Sequence, residues 1–225
     1  IIEPAQGSML DVDMGTIPEQ TSSHLLVPHA FASLGLPRRE FKVFGVEKAY
    51  PTRVGKGDMP TIAEDEFGRE TANYAGEVGA TTGRRRRVGY PDWALIRRSV
   101  MLNDCDALVI TRMDNIQDRD LKVCVAYKLP DGSRTSEVPL FLDGVQPVYL
   151  PRTFSWHLWD GPKDLSKPEE VDAVLREARE NYARGGFNSL PQGLKEFIEA
   201  HDNFVGCRTT GVSIGPARGE TVRRE

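Results

Sequence analysis

Cysteine is scarce in this chain. Cys105, Cys124 and Cys207 lie far apart and never in a C-x-x-C spacing. That pattern argues against a disulfide framework or a paired-thiol zinc site, and it fits reduced thiols in a cytoplasmic protein. The histidines (His24, His29, His157 and His201) do not gather around them in sequence, so no Cys/His metal site is expected. No run approaches the roughly 20 apolar residues that cross a bilayer. An excess of positive charge is missing too. Lys and Arg number 29 against 33 Asp and Glu, a net charge of −4, the wrong sign for a general nucleic-acid binder. Ile1-Ile2-Glu3-Pro4 has neither an initiator Met nor the layout of a signal peptide, and reads as a chain entered in mid-fold. Internal repeats and low-complexity linkers are absent, so residues 1–225 read as part of a single domain.

What is present is a mixed pattern of strands and helices. Lys42–Val46 is expected as a strand, and Ala107–Ile110 as a strand buried on both faces. Asp92 is expected to cap a helix reaching Asn103, with Leu95, Ile96, Ser99 and Val100 on one face. A hairpin is expected from Leu121–Leu129 and Thr135–Val138 around Pro130-Asp131-Gly132. Ser166-Lys167-Pro168-Glu169 reads as a capping box for a helix ending near Arg184. Ser189-Leu190-Pro191-Gln192 reads as a second such device, before Leu194, Phe197, Ile198, His201 and Val205, with Gly206 as the stop. Thr209–Ile214 then returns as a strand. The class is α/β, a mixed sheet flanked by helices.

Four loop segments concentrate chemistry. Glu3–Gly7, followed by Asp11, Asp13, Gly15-Thr16 and Thr21-Ser22-Ser23, leaves the backbone accessible. Its Gln6 offers both donor and acceptor to a purine edge; the plain alternative is a turn-rich surface loop. Gly79-Ala80-Thr81-Thr82-Gly83 leads into Arg84-Arg85-Arg86-Arg87, whose guanidinium forks suit carboxylate or phosphate oxygens. A solvated basic patch, or a tract for RNA, is the usual alternative. Thr111-Arg112-Met113-Asp114 follows a buried strand, where α/β sheets gather ligands. A carboxylate there can accept from the N1–H and N2 amino group of guanine, although a strand-end Asp also caps helices. Ser213-Ile214-Gly215-Pro216 sits beyond another strand and offers a second wall for the same base.

In order and spacing these segments resemble the adenylosuccinate synthetase family. The motifs are E-P-A-Q-G-S-M-L-D-V-D-M-G-T (Glu3–Thr16), T-S-S (Thr21–Ser23) and K-A-Y-P-T-R-V-G (Lys48–Gly55). Further along come G-A-T-T-G-R-R-R-R (Gly79–Arg87), T-R-M-D (Thr111–Asp114), K-V-C-V-A-Y (Lys122–Tyr127) and S-I-G-P-A-R (Ser213–Arg218). The match thins between Pro151 and Leu190, a stretch that reads as a possible insertion. The resemblance implies a P-loop-hydrolase-like fold, here partial, and a ligase of purine nucleotide biosynthesis. GTP would phosphorylate the 6-oxygen of IMP, and L-aspartate would displace the phosphate, with Mg²⁺ assisting.

By motif match, Gln6, Thr21 and Arg84 would hold IMP, and the loop Ala80, Thr81, Thr82, Gly83 to Arg86 would close over aspartate. Arg86 would face GTP. Arg112, Met113, Asp114, Ser213, Ile214 and Gly215 would line the guanine pocket. A homodimer follows from the family's habit. The family's phosphate loop, catalytic Asp and catalytic His have no counterpart in this sequence, so the catalytic residues and the Mg²⁺ ligands are expected outside it and the chain alone is expected to be inactive. Pro4, Met14, His24, Arg112 and Ala217 stand where the family usually has Gly, His, Asn, Lys and Asp. A phage-type relative acting on deoxyguanylate and a non-catalytic nucleotide-binding descendant are the competing readings.

Overall fold

The computed structural model describes residues 1–37, 41–79, 83–159 and 168–224. Its centre is a four-stranded sheet in the order β1 (Phe44–Lys48), β4 (Ala107–Thr111), β8 (Thr209–Ser213) and β9 (Thr221–Arg223). The first three run parallel and β9 is antiparallel. In β4, Leu108 and Ile110 are buried on one face and Ala107 on the other, where Val109 is half-buried, so the expected burial on both faces is met in part. Gly45 of β1 lies against the Leu108 side chain so closely that a Cβ there would collide with it. Among the described residues β1 is an edge strand, with Phe44 and Val46 59% and 71% exposed.

β1 begins two residues later than expected. Val43 N–H donates to the Asp106 carboxylate at 2.7 Å, Lys42 pairs with it at 3.0 Å, and the Val43 carbonyl accepts the Asp106 and Ala107 amides at 2.9 and 3.3 Å, so these residues close onto the turn before β4. The expected hairpin forms with shorter arms, β5 (Cys124–Lys128) pairing with β6 (Arg134–Thr135), and residues 136–138 of the expected second arm lie outside any strand. β7 (Gln146–Tyr149) completes a three-stranded antiparallel sheet. β2 (Thr52–Arg53) and β3 (Arg87–Val88) form a two-residue ribbon.

Helix α3 (Trp93–Asn103) starts as predicted, its Leu95 N–H donating to the Asp92 carboxylate at 3.0 Å. Helix α5 (Gln192–Val205) buries the expected face and ends on Gly206 at φ 77°. It packs on α3 through Trp93, whose ring meets Phe197 at 5.4 Å and His201 at 5.5 Å. Ser189 does not cap α5. Pro191 holds the N-cap position, and the Ser189 hydroxyl donates to the Gly186 and Tyr182 carbonyls. Helix α4 (Pro168–Gly185) covers the β9 side of the sheet; the expected capping Ser166 lies outside the described residues. Helices α1 (Val27–Leu34) and α2 (Glu66–Tyr74) complete the fold. None of the described helices is long and apolar enough to cross a membrane.

Candidate functional site

The carboxyl ends of β1, β4 and β8 point the same way, because those strands are parallel. Lys48 ends β1, Arg112 and Asp114 follow β4, and Ser213 ends β8 with Gly215 just beyond. Residues distant in sequence thus meet along one sheet edge, where open α/β sheets bind ligands.

On the β1 side the organising group is Glu77, whose side chain is 1% exposed. Lys48 Nζ donates to both of its carboxylate oxygens at 3.0 Å, and the Tyr50 hydroxyl to one at 3.0 Å. The Tyr50 oxygen in turn accepts from the Asn115 amide. Arg86 pairs with Glu77 at 3.3 Å and Arg112 approaches at 3.7 Å. Burial pushes the Glu77 carboxyl up, but Lys48, Tyr50 and Arg112 more than offset this, holding it below the usual carboxylate range. Three cations around one carboxylate leave an excess of positive charge facing the strand ends.

The arginine run fans out. Arg84 and Arg85 are exposed, Arg85 reaching Asn73 at 3.3 Å. Arg86 turns inward to Glu77, and Arg87 donates to the Gly55 and Gly57 carbonyls at 2.9 and 2.6 Å. The loop's base is closed by Gly79 N–H to the Arg84 carbonyl and Gly83 N–H to the Gly79 carbonyl, both 2.8 Å, with Gly83 at φ 62°. Ala80, Thr81 and Thr82 lie outside the described residues.

On the β8 side, Asp114 sits in a 3-10 turn, Met113–Ile116, entered through Arg112 at φ 63°. Its carboxylate is not open to solvent. Arg179 from α4 donates to it at 3.2 Å and approaches Glu220 at 3.7 Å. The guanidinium also lies 5.1 Å from the Trp159 ring centre. Burial raises the Asp114 pKa despite Arg179. Gly215 permits this arrangement, since a Cβ there would run into the Glu220 carboxylate and the Arg179 side chain. The Ser213 hydroxyl is turned to the Gly215 carbonyl at 2.8 Å. Met113 and Ile214 are fully buried in the core, so their side chains are packing, and any contact they make with a ligand is through the backbone.

The amino-terminal loop forms its own platform. Asp11 is buried and accepts from the amides of Leu25, Asp13 and Met14 at 2.6, 3.0 and 3.0 Å. Burial raises its pKa, but these amides more than offset that and hold it low. Asp11 is therefore structural. Thr21 donates to the Leu10 carbonyl at 2.9 Å, and Gln6 is exposed at φ 62°. The platform meets the β2–β3 ribbon through Arg53, which approaches the Glu19 carbonyl at 3.5 Å. On it Asp13, His24 and His29 converge, a grouping not expected from their sequence positions; it is the metal-capable cluster among the described residues. A separate concavity is lined by Arg184, Phe187, Arg218 and Arg223 among others.

Sequence reasoning missed Glu77, Arg179 and Trp159. Lys48 and Tyr50 lie inside a recognised motif, but Glu77 follows a helix with nothing local to mark it. Arg179 is one of many charges on a polar helix.

The fold is similar to the fully ligated adenylosuccinate synthetase from Plasmodium falciparum, with a TM-score of 0.83 at 26% identity over 99% of this chain and 49% of that one. It is also similar in fold to the succinoaminodeoxyadenylate synthetase of cyanophage S-2L bound to dGMP and dATP, at TM-score 0.54 and 16% identity, over 98% of this chain and 45% of that one. The chain thus spans about half the length of these solved relatives. With the sequence model of adenylosuccinate synthetase matching residues 1–222, nearly end to end, the chain belongs to the adenylosuccinate synthetase family.

Proposed function

We propose that this chain supplies the base-binding and aspartate-binding half of a ligase that joins L-aspartate to the 6-position of IMP at the expense of GTP. GTP transfers its terminal phosphoryl group to the 6-oxygen, the aspartate amino group attacks C6, and phosphate leaves. Adenylosuccinate, GDP and phosphate are the products. The observation that carries this reading is the joint placement of Lys48, Arg86, Arg112, Asp114, Ser213 and Gly215 along one parallel-strand edge. A dicarboxylate amino acid and a phosphorylated nucleotide both require concentrated positive charge, and the Glu77 cluster provides it.

Gln6 and Thr21 hold IMP from the amino-terminal platform, and Arg84 with the loop from Ala80 to Gly83 receives aspartate. Mg²⁺ requires oxygen donors. Glu77, Asp114 and Glu220 each already face cations, so these carboxylates do not fit as its ligands. A cytoplasmic homodimer is the expected setting.

The test is an assay of the full-length protein with aspartate, GTP and either IMP or deoxyguanylate, following the absorbance change as the 6-position is aminated. Turnover with IMP is expected; turnover with deoxyguanylate alone would overturn the assignment. Arg84→Ala should raise the KM for aspartate about tenfold or more, and an unchanged KM would return the arginine run to solvated surface.

A further inference from the structure

The base pocket of the proposed reading is already filled by the chain itself. A guanidinium is a planar carbon bearing N–H donors in a fork. The N1–H and N2 amino edge of guanine presents a similar donor pair to a carboxylate. Arg179 places its guanidinium between Asp114 and Glu220, against Trp159, with its aliphatic stem over Gly215. It therefore makes part of the contact expected of the base: one N–H donor to the Asp114 carboxylate at 3.2 Å and a flat face near an aromatic ring. Asp114 and Arg179 side chains are 7% and 11% exposed, which leaves no room for both occupants. Among the described residues the Arg179 Nε has no hydrogen-bond partner, so the arrangement is not fully satisfied there and is open to exchange. Helix α4, which carries Arg179, falls where the motif match is thinnest, so this contact is not part of the shared motifs.

We propose that Arg179 is an internal stand-in for guanine, a competitor that an incoming base must displace from Asp114. A base with a matching donor pair replaces what Asp114 loses. A base without one leaves a buried carboxylate unpaired, a costly outcome. Arg179 thereby lowers affinity for guanine nucleotides and, by holding α4 down, keeps the pocket shut until one arrives. This rests on the base-pocket reading above, and the experiment separates the two.

GDP and ADP binding to the full-length protein are measured by calorimetry for wild type, Arg179→Met, Arg179→Lys, Asp114→Asn and the Arg179→Met/Asp114→Asn double variant. Arg179→Met should tighten GDP binding about tenfold, the loss of one competing contact, with little change for ADP. Arg179→Lys keeps the cation without the fork, protects folding, and should fall between. Asp114→Asn should cancel the gain. Unchanged or weaker GDP binding in both Arg179 variants, with Asp114→Asn still weakening it, would overturn the stand-in role alone. No effect of Asp114→Asn in either background would instead remove the pocket reading and the inference with it.

Discussion

Replacing Glu77 by Gln isolates the electrostatic centre of the site. The amide keeps an acceptor for the Tyr50 hydroxyl but removes the charge that Lys48, Arg86 and Arg112 share. Their contacts are 3.0, 3.3 and 3.7 Å, and these cations are 26%, 27% and 42% exposed. A bidentate Lys48 pair on a buried carboxylate contributes about 1–2 kcal/mol, less than a fully buried pair because the ammonium is partly solvated. Arg86 adds roughly 0.5 kcal/mol and Arg112, more screened, about as much or less. Glu77→Gln should therefore cost about 2–3 kcal/mol, or roughly 5–10 °C in Tm for a chain of this size. Differential scanning fluorimetry and urea unfolding at neutral pH measure it. The pH dependence supplies a second check. Because the folded carboxyl titrates below its unfolded value, the contribution is present above the ordinary carboxylate range and fades as pH falls through the folded pKa. The gap between wild type and variant should narrow below about pH 4. A Tm shift under about 1 °C, or a gap that does not change with acid, would refute the ion-cluster reasoning.

Three further outcomes follow from other parts of the fold. Burial alone lowers the pKa of His201, but Glu47, at 3.1 Å, and Asp202 raise it to about 9. Its stabilising contribution is full below the unfolded value near pH 6.5 and is lost as pH rises through 9, so His201→Gln should flatten the loss of stability across that window in urea titrations. Tyr127 donates to both oxygens of the buried helix cap Asp92 at 2.8 Å; Tyr127→Phe should cost about 2 kcal/mol by chemical denaturation, and a neutral result would show that the cap is satisfied otherwise. A Cβ on Gly193 would strike the Ser155 carbonyl, so Gly193→Ala should lower the urea midpoint by an amount equivalent to about 1–3 kcal/mol.

How much of this was legible in the sequence depended on whether the signal was local. β4 and α5 were placed correctly because an unbroken apolar run and a face of Leu194, Phe197, Ile198, His201 and Val205 are patterns within one element. The Asp92 cap belongs to the same class, since its partner amide is Leu95. Ser189 misled because the same serine-to-glutamine spacing can also frame a proline N-cap, and a proline fixes the extended backbone without a side-chain acceptor. β7 went unread, since Gln146-Pro147-Val148-Tyr149 carries no clean alternation. At the site, residues inside recognised motifs were found, but Glu77 and Arg179 act through partners at distant positions. Only the fold brings Lys48 to Glu77, or Arg179 to Asp114.

The edge position of β1 bears on how this polypeptide behaves in isolation. Along one side of Phe44–Lys48 the peptide groups meet no strand among the described residues, and the side chains of Phe44 and Val46 stand out into solvent. Such a border is a template for another extended segment, and apolar side chains flanking it make the pairing adhesive. Expressed alone, the chain should self-associate through this border at high concentration, and a lysine at Val46 should suppress that association without disturbing the parallel ladder to β4.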